Sequence, residues 1–361
     1  MITVWRSTSQ ADSLASVRAL ILGVNGVTGS AIASELAAGG WEVVGTGRDV
    51  RRFSARLREQ GVSFACSDRH DGAQLDLVLG DGADVVVDCL CYTAEHARRL
   101  LAHHESFGSA VVLSSKAVYV DDRGRHSNSE QSPRFDEPVT ELQQSLEPDF
   151  SGAYQSRVGY GRNKVAAEIT LRGSGAPISI LRASRIHGAG GSLPREWFVV
   201  KRLLDGRKRI PLAHRGRTGN HPTAAVNLAK LVAICAQRPG ARVLNAADPD
   251  LPTAADAVTA IASACRCPVE MVGLDDDAPH ELGWTPWESW PPFFLDTSAA
   301  VQLGYQPMGG YADTVTAVVQ DVLELSSERQ TRLGDDPYFR GRFDYTIDDA
   351  AFAYQHRPVA G

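Results

Sequence analysis

The sequence has no uninterrupted apolar stretch of membrane-spanning length, which excludes an ordinary helical span. It has no surplus of positive charge: 37 basic residues stand against 43 acidic ones, a net charge of −6. A whole-chain field of that sign does not draw a protein to nucleic acid, so a grip on phosphates would need local basic patches. Cysteines are few: Cys66, Cys89, Cys91, Cys235, Cys265 and Cys267, mostly inside apolar runs. Their two C-x-C pairs fit neither the spacing of zinc sites nor a disulfide framework, so no metal is expected. The first sixteen residues lack the apolar core of a signal peptide. No repeat or low-complexity segment is found. The expectation is a cytoplasmic protein without a membrane or nucleic-acid partner.

What is present is ordinary globular material, 361 residues with 43% hydrophobic and 22% charged composition, enough for one large α/β unit or two modest domains. Short β-branched runs at 17–22, 41–46, 62–65, 84–90 and 110–113 alternate with helical patterns at 30–38, 51–60 and 94–104. That alternation predicts an α/β fold, a doubly wound parallel sheet with helices on both faces. The near-continuous apolar character of L-D-L-V-L-G-D-G-A-D-V-V-V-D-C-L (75–90) and S-A-V-V-L-S-S (109–115) suits strands buried on both sides. A polar stretch from Asp121 to Phe150 reads as a long active-site loop. Helix is expected again at 154–172 and 224–236, and strand at 178–182 and 241–245. The division expected is a dinucleotide-binding domain over 17–187 and a mainly substrate-binding region over 188–361, with 222–247 returning to the first sheet. The last third has the irregular composition of a smaller appended region.

Residues 20–30, L-I-L-G-V-N-G-V-T-G-S, place Gly23, Gly26 and Gly29 after a strand and at a helix start. A pyrophosphate must approach backbone closely there, and the helix start offers unpaired N–H groups to it. The second strand ends at Thr46-Gly47 and is followed by Arg48, with Arg51 and Arg52 close behind. A small residue with arginine nearby leaves room for a ribose 2′-phosphate, which favours NADP(H) over NAD(H), although Asp49 also fits the place of a ribose-binding acid.

Tyr160 and Lys164 lie four apart in Y-G-R-N-K, on one helix face. A free phenol has a pKa near 10. An ammonium about 5 Å away, at an effective dielectric near 20, supplies roughly 3 kcal/mol toward its ionisation, a tuned proton donor and acceptor. Ser114 and Ser115 end the fifth strand, where ligands of open α/β sheets bind. A serine hydroxyl there can orient a reacting oxygen.

Together, G-x-x-G-x-x-G, S-S-x-x-V-Y and Y-x-x-x-K in this order resemble the extended or atypical short-chain dehydrogenases/reductases, within them the NAD-dependent epimerase/dehydratase family. The resemblance continues through I-S-I-L-R-A-S-R-I-H-G (178–188), H-P-T-A-A-V-N-L-A-K-L-V-A-I (221–234) and F-L-D-T-S-A-A-V-Q-L-G-Y-Q-P (294–307), covering about 17–325. It implies a Rossmann fold with a smaller C-terminal substrate-binding region. It also implies a pyrophosphate loop at Gly23, Gly26 and Gly29, an adenine contact at Asp68 and a catalytic set of Ser115, Tyr160 and Lys164. Lys164 would also hold the nicotinamide ribose. Related 4,6-dehydratases carry an Asp-Glu pair directly after the catalytic Ser/Thr, whereas this chain has Lys116-Ala117, which argues against dehydration. His187 and Asn227 also depart from the family pattern, in supporting positions.

Among the basic residues of the substrate region, Lys116, Arg195 and Arg217 are candidates for an anionic substrate, with Lys201, Arg202 and Arg215 in the same stretch. Trp284, Trp287 and Trp290 wall a pocket or pack the small domain. The activity expected is hydride transfer at a secondary alcohol or ketone carbon, by an epimerase of a nucleotide-sugar-like substrate. An NADPH-dependent ketoreductase and a non-catalytic dinucleotide sensor or scaffold are the alternatives. A homodimer through 94–104 and 154–172 is expected by analogy with the family.

Overall fold

The computed structural model describes residues 17–279 and 281–355. In chain order the first half runs β1 (Arg18–Leu22), α1 (Val27–Ala38), β2 (Glu42–Gly47), α2 (Ala55–Glu59), β3 (Ser63–Cys66), α3 (Gly72–Gly80), β4 (Ala83–Asp88), α4 (Ala94–Leu101), β5 (Phe107–Ser115), α5 (Gly159–Arg172) and β6 (Ile178–Ala183). The second half runs β7 (Arg185–His187), α6 (Trp197–Leu204), β8 (Arg209–Leu212), β9 (Pro222–Ala224), α7 (Ala225–Gln237), β10 (Arg242–Ala246), α8 (Ala254–Ala264), β11 (Glu270–Gly273), α9 (Ser298–Gln302), α10 (Tyr311–Leu323), α11 (Ser327–Asp335) and α12 (Thr346–Gln355).

Along β1, Ala19 and Ile21 turn to one side of the sheet and Leu20 and Leu22 to the other, and all four are buried. One side packs under α1 and α7 through Ile32, Leu36, Leu228 and Val232. The other packs under α3, α4 and α5 through Leu75, Leu79, Leu100 and Leu171. Strands covered on both faces need apolar residues at every position, hence the unbroken runs in the sequence. The sheet has seven strands in the order β10-β6-β5-β4-β1-β2-β3, all parallel. The order reverses between β1 and β4, which opens a crevice at the C-terminal ends of those strands.

Two local expectations fail. Leu75–Gly80, read with its neighbours as strand, is the body of α3. Leu75 and Leu79 are one turn apart and buried while Leu77 is exposed, and the Asp71 side chain accepts from Gln74 N at 3.2 Å to cap the helix. Helix α5 begins at Gly159, five residues later than expected. The long segment 121–150 is irregular but pinned. The buried Asp121 carboxylate accepts from the backbone N–H groups of Arg123, Arg125 and Arg134 and from Arg125 Nε. Burial alone would push its pKa up, but those donors bring it down to about 2.

The last third holds a second core rather than irregular chain. Trp197, Phe198, Val258, Ile261, Val315 and Val319 meet between α6, α8 and α10, and Trp287 and Phe339 join them. Tail helix α12 is tied down by the buried pair of Arg202 Nε with Asp348 at 3.0 Å.

Candidate active site

The turn after β1 is shaped by contacts that exclude side chains. Gly23 has φ +98°, a conformation that favours glycine. A Cβ on Gly29 would stand 2.3 Å from the Gly23 carbonyl oxygen, so helix α1 can lie against the turn only without one. A Cβ on Gly26 would meet nothing closer than 3.6 Å and would project beside the groove that Gly26 lines. No side chain caps the N-terminus of α1. Its first N–H groups therefore face outward as donors for an anion.

That groove has a volume of about 720 Å3. Thr46, Gly47, Arg48 and Arg52 line it at the end of β2, and Asp68, Arg69 and His70 line it after β3. The Asp49 carboxylate is engaged by Arg51, through Nε at 2.9 Å and Nη2 at 3.1 Å. Asp68 Oδ1 accepts from His70 N at 2.9 Å and shapes the turn there. Under the groove, Arg69 Nη2 donates to Asp88 Oδ2 at 2.6 Å and to the His96 carbonyl at 2.9 Å, all buried. Burial and then Arg69 push the His96 pKa down to about 4, so its ring is neutral at physiological pH. The cradle, uncapped helix start and cationic rim fit a dinucleotide.

Tyr160 and Lys164 lie beside Tyr92, which lines the groove, and the helix that carries them lies against the chain just past Ser115. A Cβ on Gly161 would stand 2.3 Å from the Ala117 carbonyl oxygen, so glycine in Y-G-R-N-K lets the first turn of α5 lie on the chain just past Ser115. Lys164 is buried, and its Nζ donates at 2.8 Å to both the Cys91 and Leu113 carbonyls. The ammonium is thus clamped between the chain leaving β4 and the end of β5. It lies 6.0 Å from the centre of the Tyr160 ring and 4.5 Å from that of Tyr92. Tyr160 itself is half-buried. Ser115 Oγ accepts from Ala117 N at 3.2 Å, and Ser114 Oγ donates to Glu168 in the interior.

Sequence reasoning missed Tyr92 and Tyr154. Both line the groove, and their rings stack 4.9 Å apart at an interplanar angle of 4°. Tyr92 also lies 6.4 Å from Tyr160, so it is the wall shared by the groove and the Tyr160–Lys164 pair. Burial pushes its phenol up to about 12. Its position just past β4, at the reversal of strand order, was the available signal.

The basic candidates separate. Arg217 is exposed, pairs with Asp276 at 2.8 Å and lies over Trp290. Arg215 pairs with Asp275 and Lys201 with Asp205, while Arg202 fastens the tail. Trp284 and Trp287 pack in the second core. Lys116 instead points inward, its Nζ donating to Asn220 Oδ1 and lying 4.3 Å from the centre of the Phe293 ring. Burial, then repulsion from Arg185 and Arg195, holds Lys116 well below the usual lysine range.

Among the described residues no group of three or more His, Cys, Asp or Glu is placed to hold a metal, and no helix is long and apolar enough to cross a membrane.

A family model described as the NAD dependent epimerase/dehydratase family matches residues 19–218. No curated protein matches the sequence. Among solved structures, UDP-glucuronic acid 4-epimerase from Bacillus cereus, in complex with UDP-glucuronic acid and NAD, superposes with a TM-score of 0.63 at 16% identity, covering 86% of this chain and 100% of that one. UDP-glucose 4-epimerase from Thermotoga maritima with UDP-glucose gives 0.63 at 13% identity, covering 85% and 99%. The dTDP-glucose 4,6-dehydratase from Bacillus anthracis in complex with NAD gives 0.63 at 14% identity, covering 88% and 100%. At these identities the likeness establishes the Rossmann-type fold, and it is equal for epimerases and a dehydratase.

Proposed function

The chain belongs to the NAD-dependent epimerase/dehydratase family, and from that premise we propose that it is an enzyme that moves hydride at a secondary alcohol or ketone carbon, as an epimerase of a nucleotide sugar. The observation that carries this reading is the clamped Lys164 ammonium beside Tyr160, one aromatic wall away from the glycine-lined groove. Gly23, Gly26, Gly29 and the start of α1 would hold the pyrophosphate, and Asp68 the adenine side. A nicotinamide dinucleotide, when bound, supplies the hydride acceptor and donor.

This chain's own groups do the rest. Tyr160, as its phenolate, would take the proton from the substrate hydroxyl and, as the phenol, return it. Lys164, 6.0 Å from the centre of that ring, would supply positive charge near the phenol oxygen and would hold the ribose hydroxyls. Ser115, whose Oγ accepts from Ala117 N, still has its O–H free and would donate it to the reacting oxygen. Lys116 and Ala117 stand where dehydration would require an acid and a base, which favours epimerisation over elimination. Soluble, cytoplasmic function suits six unpaired cysteines, and we extend the proposal to a homodimer through α4 and α5.

Screening UDP-glucose, UDP-glucuronic acid and dTDP-glucose by NMR tests the activity. An epimer at carbon 4 without net consumption of dinucleotide supports it. A keto sugar formed with stoichiometric reduction of added oxidised dinucleotide assigns the ketoreductase/dehydrogenase alternative, and no product from any of them counts against a nucleotide sugar.

For the dinucleotide, Arg48 and Arg52 beside Thr46 and Gly47, with Asp49 drawn to Arg51, favour NADP(H), although two of the structural relatives named above, the Bacillus cereus epimerase and the Bacillus anthracis dehydratase, were solved with NAD. Charge-assisted contacts to a 2′-phosphate contribute about 2 kcal/mol. Replacing Arg48 and Arg52 by Ser should weaken NADPH binding about thirtyfold and leave NADH unchanged in calorimetric titration. Tighter NADH binding by the parent protein would reverse the preference.

A further inference from the structure

We propose that Lys116, Arg185 and Arg195 form a receptor for an anionic group of the substrate, a carboxylate or a phosphate ester, set one residue beyond Ser115. This deepens the reading above and rests on Ser115 facing the substrate. Three separate parts of the chain deliver the cations to one short stretch of backbone. Lys116 follows the end of β5 and reaches Asn220, whose neighbour His221 accepts from Arg185 N through its carbonyl. Arg185 opens β7, pairing in register with Pro222. Arg195 Nη1 donates to the carbonyl of Ile186, the next residue along.

Their hydrogen-bond partners are neutral oxygens. Lys116 has the Asn220 side-chain carbonyl, and Arg185 has the Pro286 carbonyl at 3.0 Å and the Tyr338 hydroxyl at 3.4 Å. Arg195 has the Ile186 carbonyl, and its buried Nε has no partner among the described residues. Glu288 attracts Arg185 electrostatically, but repulsion from Arg195 acts more strongly on it. Buried cations are normally matched by a carboxylate, as Arg69 is by Asp88 and Arg182 by Glu168 in this same molecule. A cluster that repels itself and keeps an unused guanidinium N–H is built to gain from an incoming anion. Carboxylate and phosphate oxygens satisfy it equally, by bridging the Lys116 ammonium and the Arg195 fork.

Thermal unfolding of the full chain with millimolar inorganic phosphate, D-glucuronate or neutral D-glucose tests this, on the parent, Lys116→Met and Arg195→Gln. The parent should be stabilised by at least one anion and not by glucose. Glucuronate alone assigns a carboxylate, phosphate alone a phosphate ester, and both together an anion receptor without preference. Each variant should weaken the anion response about tenfold. Lys116→Met should also melt at or above the parent without anion, because a buried amine repelled by two guanidinium groups is gone, whereas a lysine serving only to anchor Asn220 would leave it less stable. Should Lys116→Met fail to fold, Arg195→Gln decides alone. No stabilisation of the parent by either anion, or an equal response in the parent and Arg195→Gln, overturns the proposal. Dinucleotide titration of the same samples separates the two readings: binding there with no anion response removes the receptor alone.

Discussion

Tyr160→Phe should lower turnover about a thousandfold while dinucleotide affinity stays within about twofold of the parent. The substitution deletes one oxygen from a half-buried ring. The ring contact with Tyr92 does not depend on that oxygen, and Lys164 remains clamped by the Cys91 and Leu113 carbonyls. Nothing in the glycine turn or the groove is touched. What disappears is the group that exchanges a proton with the reacting hydroxyl, an interaction that matters more in the transition state than in the ground state. A dinucleotide sensor would keep both affinity and biological role in this variant. Turnover equal to the parent would mean that another group carries the proton.

The second large effect is a contrast between two glycines three residues apart. Gly29→Ala should destabilise the fold by about 3 kcal/mol and reduce dinucleotide affinity about a hundredfold. Its Cβ would press on the backbone of Gly23 and Val24 at 2.3 to 2.9 Å, and backbone cannot swing aside as a side chain can. Alanine's better helix propensity returns only about 1 kcal/mol. Gly26→Ala should leave the melting temperature near the parent value, since its Cβ meets nothing closer than 3.6 Å and its φ of −85° suits alanine. It should nonetheless lose about a hundredfold in dinucleotide affinity, because the methyl occupies the approach to the turn. Equal affinity in Gly26→Ala and the parent would place the pyrophosphate elsewhere.

The parallel sheet was legible because strands buried on both faces leave unbroken apolar runs at β1, β4 and β5. The same rule misled at Leu75–Gly80, where a short helix buries Leu75 and Leu79 and exposes Leu77 within an equally apolar stretch. Pattern alone does not separate the two at that length. The start of α5 was misplaced because Tyr154 has a helical neighbourhood in sequence, yet its ring leaves to stack on Tyr92. The second core was legible only through Trp284 and Trp287, for another reason. Its apolar residues come from α6, α8, α10 and the tail, spread over some 140 residues from Trp197 to Phe339, so no local window contains it.

Site residues followed the same division. Glycines at fixed offsets and a four-residue Tyr–Lys step announce themselves locally; the structure sets Gly23 and Gly26 on the groove and Tyr160 6.4 Å from its Tyr92 wall. Which arginines turn inward is decided by tertiary neighbours. Arg217 has Asp276 and Arg202 has Asp348, partners 59 and 146 residues away. Among the described residues, Arg195 and Lys116 have only neutral oxygens as hydrogen-bond partners. Charge in the sequence could suggest a basic region but not choose its members.

The measurement closest to the central claim is the fate of a deuterium placed at the reacting carbon of whichever nucleotide sugar the NMR screen identifies. Hydride that leaves and returns within one closed site keeps the label on that carbon, accompanied by transient near-ultraviolet absorbance of reduced nicotinamide, and both signals should vanish in Tyr160→Phe. Epimer formed with the label lost to water, and with no reduced nicotinamide at any time, would contradict it.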